Sequence, residues 1–314
     1  MANHQDMVEF WLALIHIIKE ITTPDESDQS TSYNYSQKMI NPEHTNNPDT
    51  PREPKRIVYL SPPSIYSMAD NWYDFVTPSH FWIQWRFAVI RKLLPKANDW
   101  GNTLDIGCGN GAFGQQIESH YGILASGCDL NEKALRTISH GYDQVYFYNI
   151  HQRNAEFEGY FSTIFLMDVL EHIENPVEFL QSANYHLSPK GKIIINVPAI
   201  QMLYSKYDTV AGHVKRYHLT TITTELTRAG YQIESAGYWG LALVPLLLIR
   251  KWVLNFFEDK DVIEIGFQPN SQLIRQLLNL LMSVETKLFA RTVIGSSLLV
   301  IARKRCWAPN NDRA

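Results

Sequence analysis

The sequence predicts an α/β fold in which a doubly wound, mostly parallel sheet of seven strands carries a helical insertion before its last strand. Short apolar runs alternate with stretches of helical periodicity along the 314-residue chain, which is typical of a parallel sheet covered by helices on both faces. The last two apolar runs lie about sixty residues apart, a gap too long for a loop without structure of its own. The predicted strands are 103–106, 123–128, 144–148, 162–167, 192–197, 232–236 and 297–302.

The predicted helices occupy the segments between these strands and the insertion. Apolar residues recur at helical spacing in each of them, and Gly230 is placed to end one of these helices at its C-terminus. The predicted helices are 82–94, 131–139, 176–187, 220–229, 241–257 and 271–290. We expect one domain over 57–304, with the insertion at about 241–290 forming a lid.

The two ends of the chain differ from this domain. Residues 1–21 are apolar with helical spacing and predict one N-terminal helix. Residues 22–56 are rich in Thr, Ser, Asn, Asp and Pro and carry almost no aliphatic side chains, so we expect a disordered polar linker there. Residues 305–314 are expected to form a frayed tail.

Composition excludes several classes of protein. Hydrophobic residues make up 45% of the chain, enough for a sizeable core, and the net charge of −4 argues against nucleic acid as a partner. Three cysteines are too few and too scattered for a disulfide framework, so we expect a cytoplasmic protein. The apolar segment 241–257 is interrupted by Pro245, Arg250 and Lys251. We interpret it as an interfacial or cap helix, which predicts peripheral membrane contact, and the oligomeric state stays open.

A glycine-rich turn follows the first predicted strand of the alternating region. It reads Asp105-Ile106-Gly107-Cys108-Gly109-Asn110-Gly111. Glycines at these positions let the backbone adopt positive φ and approach a ligand closely. With Asp129 at 22 positions after Gly107, the pattern also fits a dinucleotide site, so an NAD-dependent oxidoreductase is one alternative. The carboxylate of Asp105 and the lack of a basic residue in the turn favour a ligand with an ammonium group instead.

A second motif ends the fourth of the predicted strands. It reads Phe165-Leu166-Met167-Asp168-Val169-Leu170-Glu171-His172-Ile173-Glu174-Asn175-Pro176. Together with the glycine-rich turn, it resembles the class I S-adenosylmethionine-dependent methyltransferases, and most closely their small-molecule and quinone-biosynthesis branch. The resemblance runs from about residue 73 to residue 304. It implies a Rossmann-like fold, S-adenosylmethionine as cofactor, and a small or lipid-like acceptor.

The resemblance also implies roles for individual residues. Those expected to bind the cofactor are Asp105, Gly107, Cys108, Gly109, Gly111, Asp129, Leu130, Asn149, Ile150, Met167 and Asp168. Asp129 would accept hydrogen bonds from both ribose hydroxyls. At Asn149 the chain departs from the family, which commonly has an acidic residue there.

Methyl transfer from a sulfonium mainly requires alignment of the acceptor with the methyl carbon, so a nucleophile motif is not needed. An oxygen acceptor benefits from a base, and His172 and His213 are the candidates for this catalytic role. Arg216 and Tyr217 are expected to bind the substrate, and no metal site is predicted. A non-catalytic methyltransferase-like scaffold or accessory protein at a membrane is the second alternative.

Overall fold

The computed structural model describes residues 55–62, 73, 76–267, 272–289 and 291–305, and these form one sheet with helices on both faces. The strands are β1 (Ile57–Tyr59), β2 (Thr103–Ile106), β3 (Ala125–Asp129), β4 (Tyr142–Phe147), β5 (Phe161–Met167), β6 (Leu187–Pro198), β7 (Tyr231–Trp239) and β8 (Ser297–Lys304). Their order across the sheet is β1-β4-β3-β2-β5-β6-β8-β7. The strand β8 runs antiparallel to both of its neighbours, β6 and β7, and all other neighbouring strands are parallel.

The predicted fold class is confirmed, with one more strand than the seven predicted. The additional strand, β1, pairs in parallel with β4 at the edge of the sheet. A strand of three residues has no periodicity long enough to be found in the sequence. It begins at Ile57, where the sequence predicts that the domain begins.

The helices agree with prediction where the periodicity is long. They are α1 (Phe81–Leu93), α2 (Ala112–Tyr121), α3 (Glu132–Leu135), α4 (Pro176–His186), α5 (Lys206–Val210), α6 (Leu219–Arg228), α7 (Val244–Val253), α8 (Asp259–Phe267) and α9 (Gln272–Leu288). The helix predicted over 131–139 is wrong in its length, because α3 ends at Leu135. The short helices α5 and α8 were not predicted.

Side chains of alternating direction along the central strands fill two core layers. On β5, Ile164 and Leu166 pack into one apolar cluster with Leu180 of α4, whereas Phe165 packs into the other. The Phe165 ring lies 5.1 Å from that of Phe113 on α2, in an edge-to-face arrangement that aromatic pairs favour. The central strands are therefore buried on both faces of the sheet.

The predicted helical insertion between β7 and β8 is present and consists of α7, α8 and α9. Its start is fixed by the Glu285 carboxylate of α9, which accepts hydrogen bonds from the backbone N–H groups of Gly240, Leu241 and Ala242 at 2.6–3.0 Å. These donors have no partner within the helix that they begin. Among the described residues, no helix combines the length and apolarity needed to cross a membrane. The predictions for 1–21, for 22–54 and for 306–314 lie outside the described residues.

Replacing Glu285 by alanine leaves three N–H groups without their acceptor, and we expect it to lower the free energy of unfolding by about 1–2 kcal/mol. Thermal or urea unfolding measures the change. Glu156→Ala, which removes an exposed carboxylate elsewhere, is the matched control and is expected to have little effect. Equal stability of the two variants would contradict the capping role.

Candidate functional site

A cavity of about 860 Å³ lies at the carboxyl ends of the central strands, beside the junction of β2 and β5. The chain leaves β2 toward β3 and β4 on one side of this junction and returns to β5 on the other. Ligands in doubly wound sheets bind at such a switch point. The wall contains these residues expected to form the site: Asp105, Gly107, Cys108, Gly109, Asp129, Leu130, Asn149, Ile150, Met167, Asp168, His172, His213 and Arg216.

The glycine-rich turn brings its backbone close to neighbouring side chains. Gly107 and Gly109 have φ of +75° and +54°, values that favour glycine. A Cβ at Gly107 would lie 2.5 Å from a methyl carbon of Val169, and one at Gly109 would lie 2.6 Å from the ring of Tyr73. No side chain fits at either position. Gly111, expected in the cofactor site, begins α2 with φ +87° and is not part of the cavity wall.

The Asp105 carboxyl group lies beneath this turn and is only partly satisfied. Its Oδ2 accepts a hydrogen bond from the Tyr142 hydroxyl at 2.6 Å, whereas its buried Oδ1 has no partner among the described residues. Burial raises the pKa of Asp105 to about 7, against the lowering effects of the Tyr142 hydrogen bond and the charge of Arg86. A cationic group in the cavity would favour the ionised carboxylate.

Asp129 ends β3 and is held by backbone donors. Its Oδ2 accepts from the N–H of Gly109 and its Oδ1 from the N–H of Asn131, both at 2.8 Å. Burial raises the pKa of Asp129, although these two hydrogen bonds oppose the shift. The side-chain oxygen of Asn149 is also engaged, since it accepts from the N–H of His151 at 3.0 Å. Each carboxylate oxygen has further lone pairs, so a ligand can still bind Asp129.

Asp168 connects the strand ends to α1. It forms a 2.7 Å ion pair with the buried Arg86, and its second oxygen accepts from Asn196. Asn196 in turn accepts from the indole N–H of Trp239 at 2.9 Å. The backbone of Asp168 itself has a φ of +60°, which is rare outside glycine. Both oxygens of Asp168 therefore have protein partners, and Arg86, which the sequence analysis missed, is the counter-charge.

A histidine held by a carboxylate lies at the other end of the cavity wall. His213 Nδ1 lies 2.8 Å from Asp208 Oδ1, and the guanidinium of Arg216 binds the same carboxylate through Nε and Nη2 at 2.8 and 3.1 Å. Burial alone would raise the pKa of Asp208, but His213 and Arg216 outweigh it and hold the pKa well below its usual range. The ionised Asp208 accepts a hydrogen bond from Nδ1–H, which leaves His213 Nε2 as an acceptor when the ring is neutral.

His172 packs edge-on against His213, with ring centroids 4.8 Å apart. Its Nδ1 lies 3.1 Å from the carbonyl oxygen of Gly212, to which it donates. Burial and the neighbouring His213 lower the pKa of His172 to about 4. His172 is therefore neutral at physiological pH and accepts protons weakly.

Glu171 lies beside the two histidines and is 1% exposed. Neither of its carboxyl oxygens has a hydrogen-bond partner among the described residues. Burial, and next the charge of Asp168, raise the pKa of Glu171 well above its usual range. One ligand atom from each of Glu171, His172 and His213 lies within 4.8 Å of the others, so this cluster could hold a cation, although no metal site is predicted from the sequence.

Tyr217 is the expected substrate residue that the structure does not bring to the site. It is fully buried, its hydroxyl donates to the carbonyl of Leu170 at 3.2 Å, and it is not part of the cavity wall. Its partner in the prediction, Arg216, lines the cavity but is held by Asp208. The residues that the sequence analysis missed are Tyr73, Arg86, Glu171, Tyr207, Asp208 and Arg250. Of these, only Glu171 lies within a motif that could have indicated it.

Comparison with known proteins gives one family and several distant relatives. A family model described as methyltransferase domain matches residues 80–236, which is half of the chain. The ubiquinone biosynthesis O-methyltransferase of Caulobacter sp. (strain K31) is 28% identical over 151 residues, covering 41% of this chain and 58% of that protein. The protein of the same description from Aromatoleum aromaticum is 24% identical over 144 residues, with the same coverage. The matched part thus spans 58% of the length of these relatives.

Solved structures were also compared with this chain. The phosphoethanolamine N-methyltransferase 2 of Haemonchus contortus, in complex with S-adenosyl-L-methionine, is 19% identical, with a TM-score of 0.48 over 75% of this chain and 56% of that chain.

The raised pKa of Asp105 makes a prediction about stability. With the folded-state value at about 7 and an ordinary value of 3.8, the folded protein binds this proton more tightly than the unfolded chain does. The resulting stability is complete below about pH 4 and is lost as pH rises through 7, at about 1.4 kcal/mol per pH unit. Asp105→Asn lacks this loss, so we expect its Tm relative to the wild type to rise between pH 5 and pH 8.

Thermal unfolding across this pH range measures the difference. Asp143→Asn, at an exposed carboxylate on β4, serves as the control, and its Tm difference is expected to stay flat. A flat Tm difference for Asp105→Asn would contradict the raised pKa.

Proposed function

Because the chain belongs to the methyltransferase-domain family, we propose that it transfers a methyl group from S-adenosylmethionine to an oxygen of a small or lipid-like acceptor. The predicted methyltransferase class is confirmed by this membership, and no comparison supports the NAD-dependent oxidoreductase. The observation that carries the proposal is the single cavity that joins the glycine-rich turn and Asp105 to the His213–Asp208 pair. Cofactor and acceptor would meet between them.

The residues of the turn fit S-adenosylmethionine. The buried Oδ1 of Asp105 has no partner among the described residues and suits the positive charge of the methionyl ammonium group. Gly107 and Gly109 line the cavity with positive φ and carry no side chain, so their backbone can approach a ligand closely. Asp129 and Leu130 line the adjoining wall, where they would contact the ribose and the adenine face. Asn149 and Ile150 would border the adenine, and Met167 and Asp168 would lie near the sulfonium.

When bound, S-adenosylmethionine would supply a methyl group from its sulfonium. The rest of the cofactor would leave as a neutral thioether. The protein has to hold the acceptor oxygen in line with that methyl group, a positioning effect worth about 7–11 kcal/mol in favourable cases. His213 Nε2 would take the proton of the acceptor hydroxyl as the methyl group passes from sulfur to oxygen. Asp208 keeps the imidazole in the tautomer with its proton on Nδ1 and stabilises the imidazolium that results.

His172 supports this arrangement from the cavity wall. Its pKa of about 4 makes it a weak base, so we assign the proton transfer to His213 and a positioning contact to His172. Arg216, because it is bound to Asp208, fixes the carboxylate that orients His213.

The acceptor is proposed from the chemistry of the wall and from the relatives. The relatives are named as ubiquinone biosynthesis O-methyltransferases, which favours an oxygen acceptor here. Leucines of the lid, Leu243, Leu246 and Leu247, line the cavity and suit an apolar molecule.

Replacing His213 by glutamine removes the base while retaining a polar side chain, and we expect kcat to fall by about 10²–10⁴-fold. Transfer of radiolabelled methyl groups from S-adenosylmethionine into a small-molecule and lipid extract of cells measures turnover. Calorimetry should give an S-adenosylmethionine Kd within twofold of the wild-type value. His218→Gln, an exposed histidine in the same segment, is the control and should leave turnover unchanged.

Two results would contradict the role of His213. One is full turnover by His213→Gln. The other is loss of wild-type turnover on treatment with a chelator and its recovery with a divalent cation, which would make His213 a metal ligand. Tight cofactor binding with no labelled product from any extract would instead favour the non-catalytic scaffold.

We also propose that the protein acts in the cytoplasm with its lid against a membrane surface, from which a lipid-like acceptor could enter. The support is the exposed apolar face of the α7 segment. Ile249 is 60% exposed, Phe256 57% and Trp252 40%, and Lys251 lies among them. Aromatic and aliphatic side chains next to a cation are typical of helices that lie in a membrane interface.

Substituting Ile249 and Phe256 together by glutamate should weaken binding to phosphatidylcholine–phosphatidylglycerol vesicles by roughly tenfold or more, because each change removes apolar area that would be buried. Vesicle sedimentation measures the affinity. Leu124→Glu places one such charge at an exposed leucine before β3 and should bind vesicles as the wild type does. If the double variant changes only the oligomeric state, this face instead contacts a second copy of the chain.

A further inference from the structure

Three arginines line the cavity, and one of them differs from the others in its partners. Arg86 is paired with Asp168, and Arg216 with Asp208. Arg250, on α7, forms no ion pair with any carboxylate among the described residues. Its Nη1 donates to the carbonyl of Gly266 at 2.8 Å, its guanidinium lies 4.4 Å from the ring centre of Tyr207, and its buried Nε has no hydrogen-bond partner in the described part of the chain.

Arg250 is half-buried in the cavity wall, and its charge is only partly compensated. Burial lowers the pKa of Arg250 to about 10, so the guanidinium remains cationic at neutral pH. The Asp208 carboxylate acts on Arg250 but is already engaged by His213 and Arg216, so an oxyanion would give the guanidinium a partner of its own. Guanidinium presents parallel N–H donors that match a carboxylate or a phosphate.

The position of Arg250 relates this cation to the acceptor rather than to the cofactor. The charged groups that influence Arg250 are Asp208 and Arg216, which belong to the network of His213. The charged groups that influence Asp105, beneath the glycine-rich turn, are instead Arg86 and Asp129. Arg250 is thus associated with the network of His213, whereas Arg86 is the cation that acts on Asp105.

The surroundings of Arg250 are apolar. Leu243, Leu246 and Leu247 precede it in the same segment, and Leu278 of α9 also lines the cavity. Leu246 is 40% exposed as well, so this part of the wall lies at the surface. A wall of leucines with one cation suits a molecule that has an apolar part and one anionic group.

We propose that Arg250 binds an anionic oxygen group, a phosphate or a carboxylate, carried by an amphiphilic methyl acceptor. The inference rests on the proposed methyl transfer for the identity of the bound molecule as acceptor. It makes Arg250 a specificity-determining residue, because an acceptor without the anion would leave the guanidinium desolvated and without a counter-charge.

Binding of simple amphiphiles to the full chain, saturated with S-adenosylhomocysteine, tests the proposal without turnover. Octyl phosphate, octanoate and octanol share one chain and differ in the head group. We expect one or both anions to bind wild-type protein at least tenfold more tightly than octanol, as measured by calorimetry below their micellar concentrations. The tighter of the two anions identifies phosphate or carboxylate as the group. Equal binding of all three ligands would overturn the proposal.

Single substitutions test whether Arg250 itself binds the anionic head group. Arg250→Gln should weaken binding of the anionic ligand at least tenfold and leave octanol binding unchanged. Lys96→Gln removes the same charge from an exposed position outside the cavity wall and should behave as the wild type. Arg250→Lys keeps the charge but not the paired donors, and an intermediate affinity is expected.

An unchanged affinity of Arg250→Gln for the anion would overturn the assignment. So would a tenfold loss of S-adenosylmethionine affinity, since Arg250 would then bind the cofactor carboxylate. These measurements do not depend on His213, so failure of the proposed base and failure of this inference can be distinguished.

Discussion

The cost of burying charge controls the chemistry of this cavity. Parallel strands of one sheet all end at the same edge, so carboxylates, histidines and arginines from distant positions meet there beneath an otherwise apolar wall. In such surroundings a charge is stable only when paired. Arg86 with Asp168, and Arg216 with Asp208, meet this condition within the protein. Asp105, Glu171 and Arg250 do not meet it among the described residues, and each marks a place where a ligand or a proton is expected.

The sequence predicted the cofactor end of the cavity better than the acceptor end, for a physical reason. The glycine-rich turn and Asp129 are local features, since their function follows from positive φ and from a position at the end of a strand. Asp208 lies on the five-residue α5 and Arg250 on α7, and their importance depends on which residues they meet in the folded chain. No pattern along the sequence indicates such a meeting. Asp208 lies only five residues before His213, yet nothing in that spacing distinguishes a catalytic partner from a solvated aspartate.

Errors in the sequence-based predictions have similar causes. Tyr217 was expected to bind the substrate together with Arg216, but consecutive residues of an extended segment point to opposite sides. Arg216 consequently faces the cavity wall, whereas Tyr217 is buried against the carbonyl of Leu170. The strand β1 was missed because three residues are too few for periodicity. The helix predicted over 131–139 was too long, since the helix ends at Leu135 and Thr137 and Ser139 beyond it lack strong helix propensity.

The part of the cavity wall at the glycine-rich turn and the part at Arg250 come from different elements of the fold. The glycine-rich turn belongs to the rigid sheet, where Asp105 and Asp129 are held by hydrogen bonds from Tyr142, Gly109 and Asn131. Arg250 and the leucines beside it belong instead to α7, in the insertion that Glu285 joins to β7. A fixed half suits a cofactor that is the same in every turnover. The part of the wall that comes from the insertion can differ in the acceptor it would bind while the strand ends at the glycine-rich turn keep their positions.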